Sequence, residues 1–184
     1  KRLLGLNELP DAATLSRQLQ RVDQKSLGRL HQLLRNLALE RLALLAPARV
    51  TIDFDGVVQS TGRRAEGVAV GYNPKKKGQR SYYPLLATIA QTGQVLDFLH
   101  RSGDVHDSRG ARVFILDCIR HVRAQLPHAT IEVRMDGAFL SDDIVQTLSE
   151  MGVEFTIAVP FERFPMLKHK IENRGRWHWF SDTQ

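Results

Sequence analysis

Two short apolar runs, Thr51–Val58 (TIDFDGVV) and Ile131–Phe139 (IEVRMDGAF), each run into an aspartate followed by glycine, and together they constrain the fold more than any other part of the chain. In the first, Val50, Ile52 and Phe54 alternate with Thr51, Asp53 and Asp55; in the second, Ile131, Val133 and Met135 lead up to Asp136. Period-2 alternation of this kind predicts strands. Helical sequence precedes the second run, so a crossover feeds it, and right-handed crossovers lay such strands parallel to a central one. Neighbouring strands lie roughly 4.8 Å apart, so carboxylates carried on two of them can converge on one divalent cation.

The rest of the chain supplies the frame. Residues 12–46 read as two helices. The first carries Leu15, Leu19 and Val22 on one face behind a capping Asp11; the second runs from about Gln24 to Leu45 with Leu27, Leu30, Leu34 and Leu37 as its stripe, and Pro47 ends it. Gly67–Tyr72, Tyr82–Ala90 and Val95–Arg101 are strand candidates that join the first strand in an antiparallel meander, interrupted by the loop NPKKKGQR. Ser108 and Gly110 open a helix whose apolar face is Ala111, Phe114, Ile115, Cys118, Ile119 and Val122. After the strand ending at Asp136, Ser141 caps a helix carrying Ile144, Val145 and Leu148, and Gly152 stops it. Phe155, Ile157 and Val159 form the last clear strand, and Trp177 and Trp179 suggest one more. The expected class is α/β: a ribonuclease H-like mixed sheet, part antiparallel meander and part parallel, flanked by helices. A helical N-terminal segment (1–47) precedes the core (48–184). In open sheets of this type, sites collect at carboxyl ends of strands where the strand order reverses.

A formal charge of +6 and a pI near 9.8 favour polyanionic partners, because neutralising phosphates releases counterions. The single cysteine, Cys118, excludes an internal disulfide framework and suits a reducing cytosol, and its place on an apolar helix face reads as packing. No apolar run reaches membrane-spanning length and no signal-peptide pattern opens the chain. The first residue is Lys1 rather than Met, which reads as a segment of a longer protein.

Asp53 and Asp55 point the same way from one strand but stand roughly 6.6 Å apart along it. Magnesium holds its oxygens at about 2.1 Å, so one ion takes only one of them comfortably. Asp55, nearest the strand exit, is the expected partner of Asp136, with Asp53 as the alternative. Two carboxylates about 4 Å apart repel by roughly 4 kcal/mol at an effective dielectric of 20, a cost that a cation removes. Asp-Gly pairs also suit plain turns. Lys75, Lys76, Lys77 and Arg80 crowd one loop and could contact phosphates, or serve only as a solvated face. Arg17 and Arg21, four apart, share one helix face. His100 and His106 flank RSGDV and could form a metal-binding His/Asp cluster, but without tight ligand spacing they read as loop histidines, and Glu66 reads as a turn residue or an accessory acid. No phosphate-cradling glycine loop and no Ser/His/Asp arrangement is present.

GYNPKKKGQRSYYPLLA (Gly71–Ala87), then Thr92-Gly93-Gln94-Val95, Arg101-Ser102-Gly103-Asp104 and Val133-Arg134-Met135-Asp136-Gly137-Ala138-Phe139, resemble in order the blocks of bacterial insertion-sequence transposases of the DDE type. Leu6–Gln20 is similar to the helical segment ahead of their catalytic core. The resemblance implies DNA cleavage and strand transfer with two divalent metals, Mg2+ or Mn2+ in its place, held by two aspartates and a glutamate. It puts the first acid on Asp55 and the second on Asp136. It further implies double-stranded DNA as partner (transposon ends and target), a homodimer on DNA, and a bacterial, nucleoid-associated cytoplasmic setting, with Arg17, Arg21, Lys75, Lys76, Lys77 and Arg80 as DNA contacts. Two positions depart from the family pattern: Gly56-Val57 replaces a small residue and Thr, and Gly137 replaces Ser. Glu154, Glu162 and Glu172 lack the context of the family's third acid, which is expected beyond Gln184.

Overall fold

The structure, a computed structural model, describes residues 10–62, 64–73, 75–106 and 109–176. The strand suggested around Trp177 and Trp179, the start of the Leu6–Gln20 block, and Ser108 lie outside the described residues.

The chain enters through α1 (Ala12–Leu19) and α2 (Gln24–Leu45). Each begins on an aspartate whose carboxylate accepts a backbone N–H three residues on: Thr14 N–H to Asp11 at 2.6 Å and Ser26 N–H to Asp23 at 2.7 Å. These bonds satisfy orphan donors of the first turn. α2 ends on Ala46, which adopts φ 40° and ψ 51°, just ahead of Pro47. The stripe expected on α2 is not the one buried. Ala38, Leu39 and Leu42 reach the core, whereas Leu27, Leu30 and Leu37 are exposed and α1 buries nothing. The core-facing side of α2 also carries His31 and Arg35, polar residues that a search for leucines overlooks. His31 Nδ1 lies 2.7 Å from Asp97 Oδ1, Arg35 pairs with the other Asp97 oxygen at 3.1 Å, and Arg35 also meets His121. This cluster ties α2 to both sheet and central helix.

Five strands form the main sheet: β1 (Arg49–Gly56), β5 (Leu85–Ile89), β6 (Gln94–Leu99), β7 (Thr130–Met135) and β8 (Glu154–Ile157), ordered β6-β5-β1-β7-β8. β1, β5 and β6 pair antiparallel, while β7 lies parallel to β1 and β8 parallel to β7. That order and polarity are the expected ribonuclease H-like layout. The meander differs in detail. Instead of one strand over Tyr82–Ala90, the chain breaks at Pro84, which has no N–H to offer a ladder. Upstream residues make a separate three-stranded sheet of β2 (Gln59–Ser60), β4 (Arg80–Tyr82) and β3 (Ala69–Val70), in that spatial order. It carries the lysine-rich loop.

α3 (Ala111–Gln125) buries all six residues of its expected face, and Phe54 meets Phe114 edge-on with ring centroids 5.9 Å apart. Burial pushes the Cys118 thiol far up from its ordinary value. α4 (Asp142–Glu150) starts on Ser141 as expected, and Gly152 follows it at φ 60°. The sequence reading has no counterpart for α5 (Pro165–Glu172), whose Pro165 occupies the first turn, where a missing N–H costs nothing. α2, α3 and α4 contribute to one core with Val50, Ile52, Phe54, Val133 and Met135, all on one sheet face. No described helix is long and apolar enough to cross a membrane.

Candidate functional site

The opposite face of β1 and β7 carries a polar ladder. Thr51 pairs with Glu132, its hydroxyl donating to Glu132 Oε2 at 2.9 Å. Two residues on, Arg134 grips Asp53 with both arms of its guanidinium, at 2.6 and 2.9 Å. This pair holds Arg134 more firmly protonated, chiefly through the hydrogen bonds to Asp53. The last paired rung is Phe54 beside Met135. Asp55 and Asp136 occupy the next position on each strand. Alternate residues share a face, so Asp55 continues the Asp53 side of β1, while Asp136 is the first residue past β7, and adjacent strands are roughly 4.8 Å apart. The register therefore brings the backbones of the two expected acids together at the carboxyl end of the central strand pair. Asp53, spent on Arg134, is the poorer donor to an ion.

The two carboxyl groups have different surroundings. Asp136 keeps an extended backbone (φ −79°, ψ 175°) and caps a 3-10 turn, Gly137–Phe139, where its Oδ1 accepts the Ala138 N–H at 2.9 Å. It lines a cavity of about 530 Å3 with Tyr72, Tyr83, Gly103, Asp104 and His106. Asp55 lines a second cavity, of about 360 Å3, with Val57, Ser60, Asn73, Lys75 and Lys76. Both acids are exposed. Among the described residues, no group of three or more His, Cys, Asp and Glu side chains is placed to hold a metal ion. Glu66 lies in a turn, Glu154 pairs with Arg49, and Glu172 pairs with Lys168 at 3.8 Å.

Asn73 explains why the lysine loop stands where it does. Buried to 5% exposure, it donates to Ser60 Oγ at 2.7 Å and accepts the Lys76 N–H at 3.0 Å. A short polar side chain that folds the backbone onto itself in this way fixes a turn. Lys75 and Lys76 are thereby held beside Asp55. Lys77 lines a smaller neighbouring cavity with Tyr72, and Arg80 is exposed at the start of β4. Arg17 and Arg21 lie on and just past α1; Arg17 bonds back to Thr14 Oγ1 at 3.2 Å.

Tyr72 and Tyr83 are not singled out by the sequence as site residues, and His106, read there as a loop histidine, lines the cavity beside Asp136. The two tyrosines sit inside the GYN and SYY portions of the lysine-loop block, which was the available signal. Tyr83 lies against Gly56: a Cβ there would stand 2.5 Å from its hydroxyl oxygen. Arg101 lies 5.2 Å from the Tyr83 ring centroid and donates to the Tyr83 carbonyl at 3.0 Å. His100, by contrast, stacks on Tyr82, with centroids 4.5 Å apart. Both departures from the expected motif have packing reasons. Gly56 accepts the Tyr83 ring, and a Cβ on Gly137 would come within 3.0 Å of the Ala158 carbonyl.

The family described as Transposase DDE domain group 1 matches residues 2–174. No curated protein sequence matches the chain. Among solved structures, the catalytic domain of Mos1 mariner transposase is 11% identical, with 87% of this chain and 78% of that one covered at a TM-score of 0.42. The Mos1 mariner paired end complex with Mn is 10% identical, covering 79% and 50% at 0.45. The piggyBac transposase synaptic complex with hairpin DNA is 15% identical, covering 69% and 26% at 0.44. The chain thus spans only 26% of the piggyBac chain and 50% of the Mos1 chain in its paired end complex.

Proposed function

This chain belongs to the Transposase DDE domain group 1 family, and from that premise we propose that it is the catalytic core of a DNA transposase that cuts transposon ends and joins them to target DNA. The observation that supports the reading is the strand register, whose last rung, Phe54–Met135, comes immediately before Asp55 and Asp136, with Lys75 and Lys76 lining the cavity beside the first. The donor set fits magnesium, with manganese as substitute: that ion keeps several waters and uses one or two carboxylates together with substrate phosphates. Asp55 and Asp136 would hold it, and the Ala138 N–H already orients one Asp136 oxygen. When bound, such an ion polarises a phosphoryl oxygen and stabilises charge on the oxygens of an in-line displacement. The chain's own contribution is placement. Lys75 and Lys76 draw the DNA phosphate towards Asp55; Lys77 and Arg80, and further off Arg17 and Arg21, neutralise flanking phosphates. A third acid outside the described residues would complete the site, and the transposase would act on transposon ends as a homodimer in the bacterial nucleoid.

A second reading, a DNA-binding domain without chemistry, draws support from the cap that Asp136 makes to its own turn. The two readings part on manganese and on the choice of acid. In the transposase reading, Mn2+ broadens NMR resonances around residues 55 and 136, and Asp55→Asn or Asp136→Asn abolishes the effect while Asp53→Asn keeps it. Metal-dependent cleavage of transposon-end DNA follows the same pattern. Broadening centred elsewhere, or an Asp53→Asn loss as deep as that of Asp55→Asn, rejects the assignment.

A further inference from the structure

α2 carries two stripes, and the core uses only one. His31, Arg35, Ala38, Leu39 and Leu42 face the sheet and α3. The other stripe is Leu27, Leu30, Leu34, Leu37 and Leu44, about a third of a turn round the helix, with successive steps of 3, 4, 3 and 7 residues. That is the strict a/d repeat of a coiled-coil seam, narrower than the 3.6-residue stripe of a helix packed on a globular core. Arg41 takes the remaining a position. Leu34 is half-buried; the other four, with Leu33 and Leu45 beside them, are 39–81% exposed. Half-exposed leucines present about 90 Å2 each, so these side chains offer about 500 Å2 of apolar surface, as large as the functional patches of monomers. Homodimer interfaces are about 65% apolar, so the stripe corresponds to about 800 Å2 per copy, the area of a standard stable interface. The helix is already formed and capped by Asp23, so pairing it incurs no nucleation cost.

We propose that the outer stripe of α2 is a self-pairing seam, through which two copies of this chain join with their α2 helices side by side and antiparallel. A two-fold interface needs one surface that complements itself, and leucines at a/d spacing supply it. A parallel pairing would set the two Arg41 side chains against each other at one a position. The antiparallel register that matches a to d sets Leu27 opposite Leu44, Leu30 opposite Arg41 and Leu34 opposite Leu37. It separates the two guanidinium groups by about 16 Å along the seam, beyond a Debye length at physiological salt. It also lays each helix N-terminus beside the other's C-terminus, so the two dipoles oppose. The inference rests on the transposase reading for the purpose of the dimer, but the seam forms without DNA or metal.

Sedimentation of the chain between about 1 and about 200 µM, without DNA or metal, is expected to show a monomer–dimer equilibrium with a midpoint of about 10 µM. Leu37→Glu sets a charge in the seam and raises the dissociation constant at least about 30-fold. Its circular dichroism and Tm stay those of wild type, because Leu37 is exposed in the folded chain. Val113→Glu, at a similarly exposed apolar position on α3, leaves the equilibrium within about twofold. Orientation is read by mild oxidation of cysteine variants, Cys118 being buried. A chain with both Leu27→Cys and Leu44→Cys forms covalent dimers, and neither single variant does; links from Leu27→Cys alone overturn the antiparallel seam. A chain monomeric throughout means that another segment or another protein occupies the stripe, and it overturns the self-pairing. So does a dimer whose midpoint Leu37→Glu leaves unmoved. Either failure leaves Asp55 and Asp136 to their own manganese test.

Discussion

Gly56 and Tyr83 offer the sharpest quantitative check on the site's geometry. An alanine Cβ at position 56 would stand 2.5 Å from the Tyr83 hydroxyl oxygen, 2.6 Å from Cζ and 2.9 Å from Cε2, where ordinary contact begins at 3.4 Å. The ring must retreat by about 0.9 Å along its edge. The backbone on which the ring stands exchanges hydrogen bonds with Arg101, the Tyr83 N–H donating to the Arg101 carbonyl and the Arg101 Nε to the Tyr83 carbonyl, so the retreat falls on the side-chain torsions. Overpacking against a restrained ring costs about 1–3 kcal/mol. For a chain of this size, 2 kcal/mol corresponds to a fall in Tm of about 4–8 °C. The assay is a double-mutant cycle by thermal or urea unfolding over wild type, Gly56→Ala, Tyr83→Ala and the double variant. If the clash is with the ring, Gly56→Ala costs almost nothing in the Tyr83→Ala background, and the coupling energy approaches the whole single-variant penalty. Additive penalties, or a Gly56→Ala protein as stable as wild type, refute the claim that Tyr83 is seated on the residue after Asp55.

Three further predictions follow from other contacts. Gly71→Ala drives a Cβ into the backbone of the Gly103 turn, so it costs about 3 kcal/mol and speeds amide exchange at Ser81 and Tyr82, whereas Gly62→Ala, with nothing within 4 Å, stays within about 0.5 kcal/mol of wild type. Hydrogen bonds from Ser26 hold the Asp23 carboxyl below its ordinary 3.8; a depressed carboxyl stabilises the fold above its unfolded value and loses that contribution as pH falls through the folded one, so far-UV helix signal from α2 should fray below about pH 4 in wild type and not in Asp23→Asn, which caps without titrating. Asp97→Ala strands His31 and Arg35, whose side chains are only 22% and 21% exposed, and should lower stability by about 3 kcal/mol in urea titrations with an unchanged m-value.

Legibility in the sequence followed the kind of information each element carries. The face of α3 could be read residue by residue, because its six buried positions are all apolar and recur at helical spacing. β1 and β7 were equally plain, since alternation marks a strand with one face in the core. α2 misled because its buried side mixes Ala38, Leu39 and Leu42 with His31 and Arg35, and the most regular leucine spacing lies elsewhere. The small sheet was hidden by strands of only 2–3 residues, too short to show a period. Within the candidate site, the sequence could name Asp55, Asp53 and Asp136 as candidates but could not show what occupies Asp53. Spacing and exit position favoured Asp55; the bidentate grip of Arg134 on Asp53 needs strand register, which no single strand's sequence contains.

The two acids reach their shared position by different routes, and this bears on how the site tolerates change. Asp55 stands within a strand paired on both sides at its base: Asp55 is opposite Leu86 on β5, and Phe54 just before it is beside Met135 on β7. Its backbone is over-determined, so substitutions nearby in β1 should act through packing. Asp136 lies one residue past the end of β7, held by a capping bond and by close packing of Gly137 on the Ala158 carbonyl. A residue larger than glycine at 137 must push against that carbonyl, in the segment that follows β8. A Cβ at 137 would need the Ala158 carbonyl to give by a few tenths of an ångström. The same logic joins Gly56 to Tyr83. Each departure from the expected motif sits directly after an acid, and each is filled by a group from another segment. The glycine after each of the two expected acids is thus closed off by another segment: Tyr83 at Gly56 and the Ala158 carbonyl at Gly137.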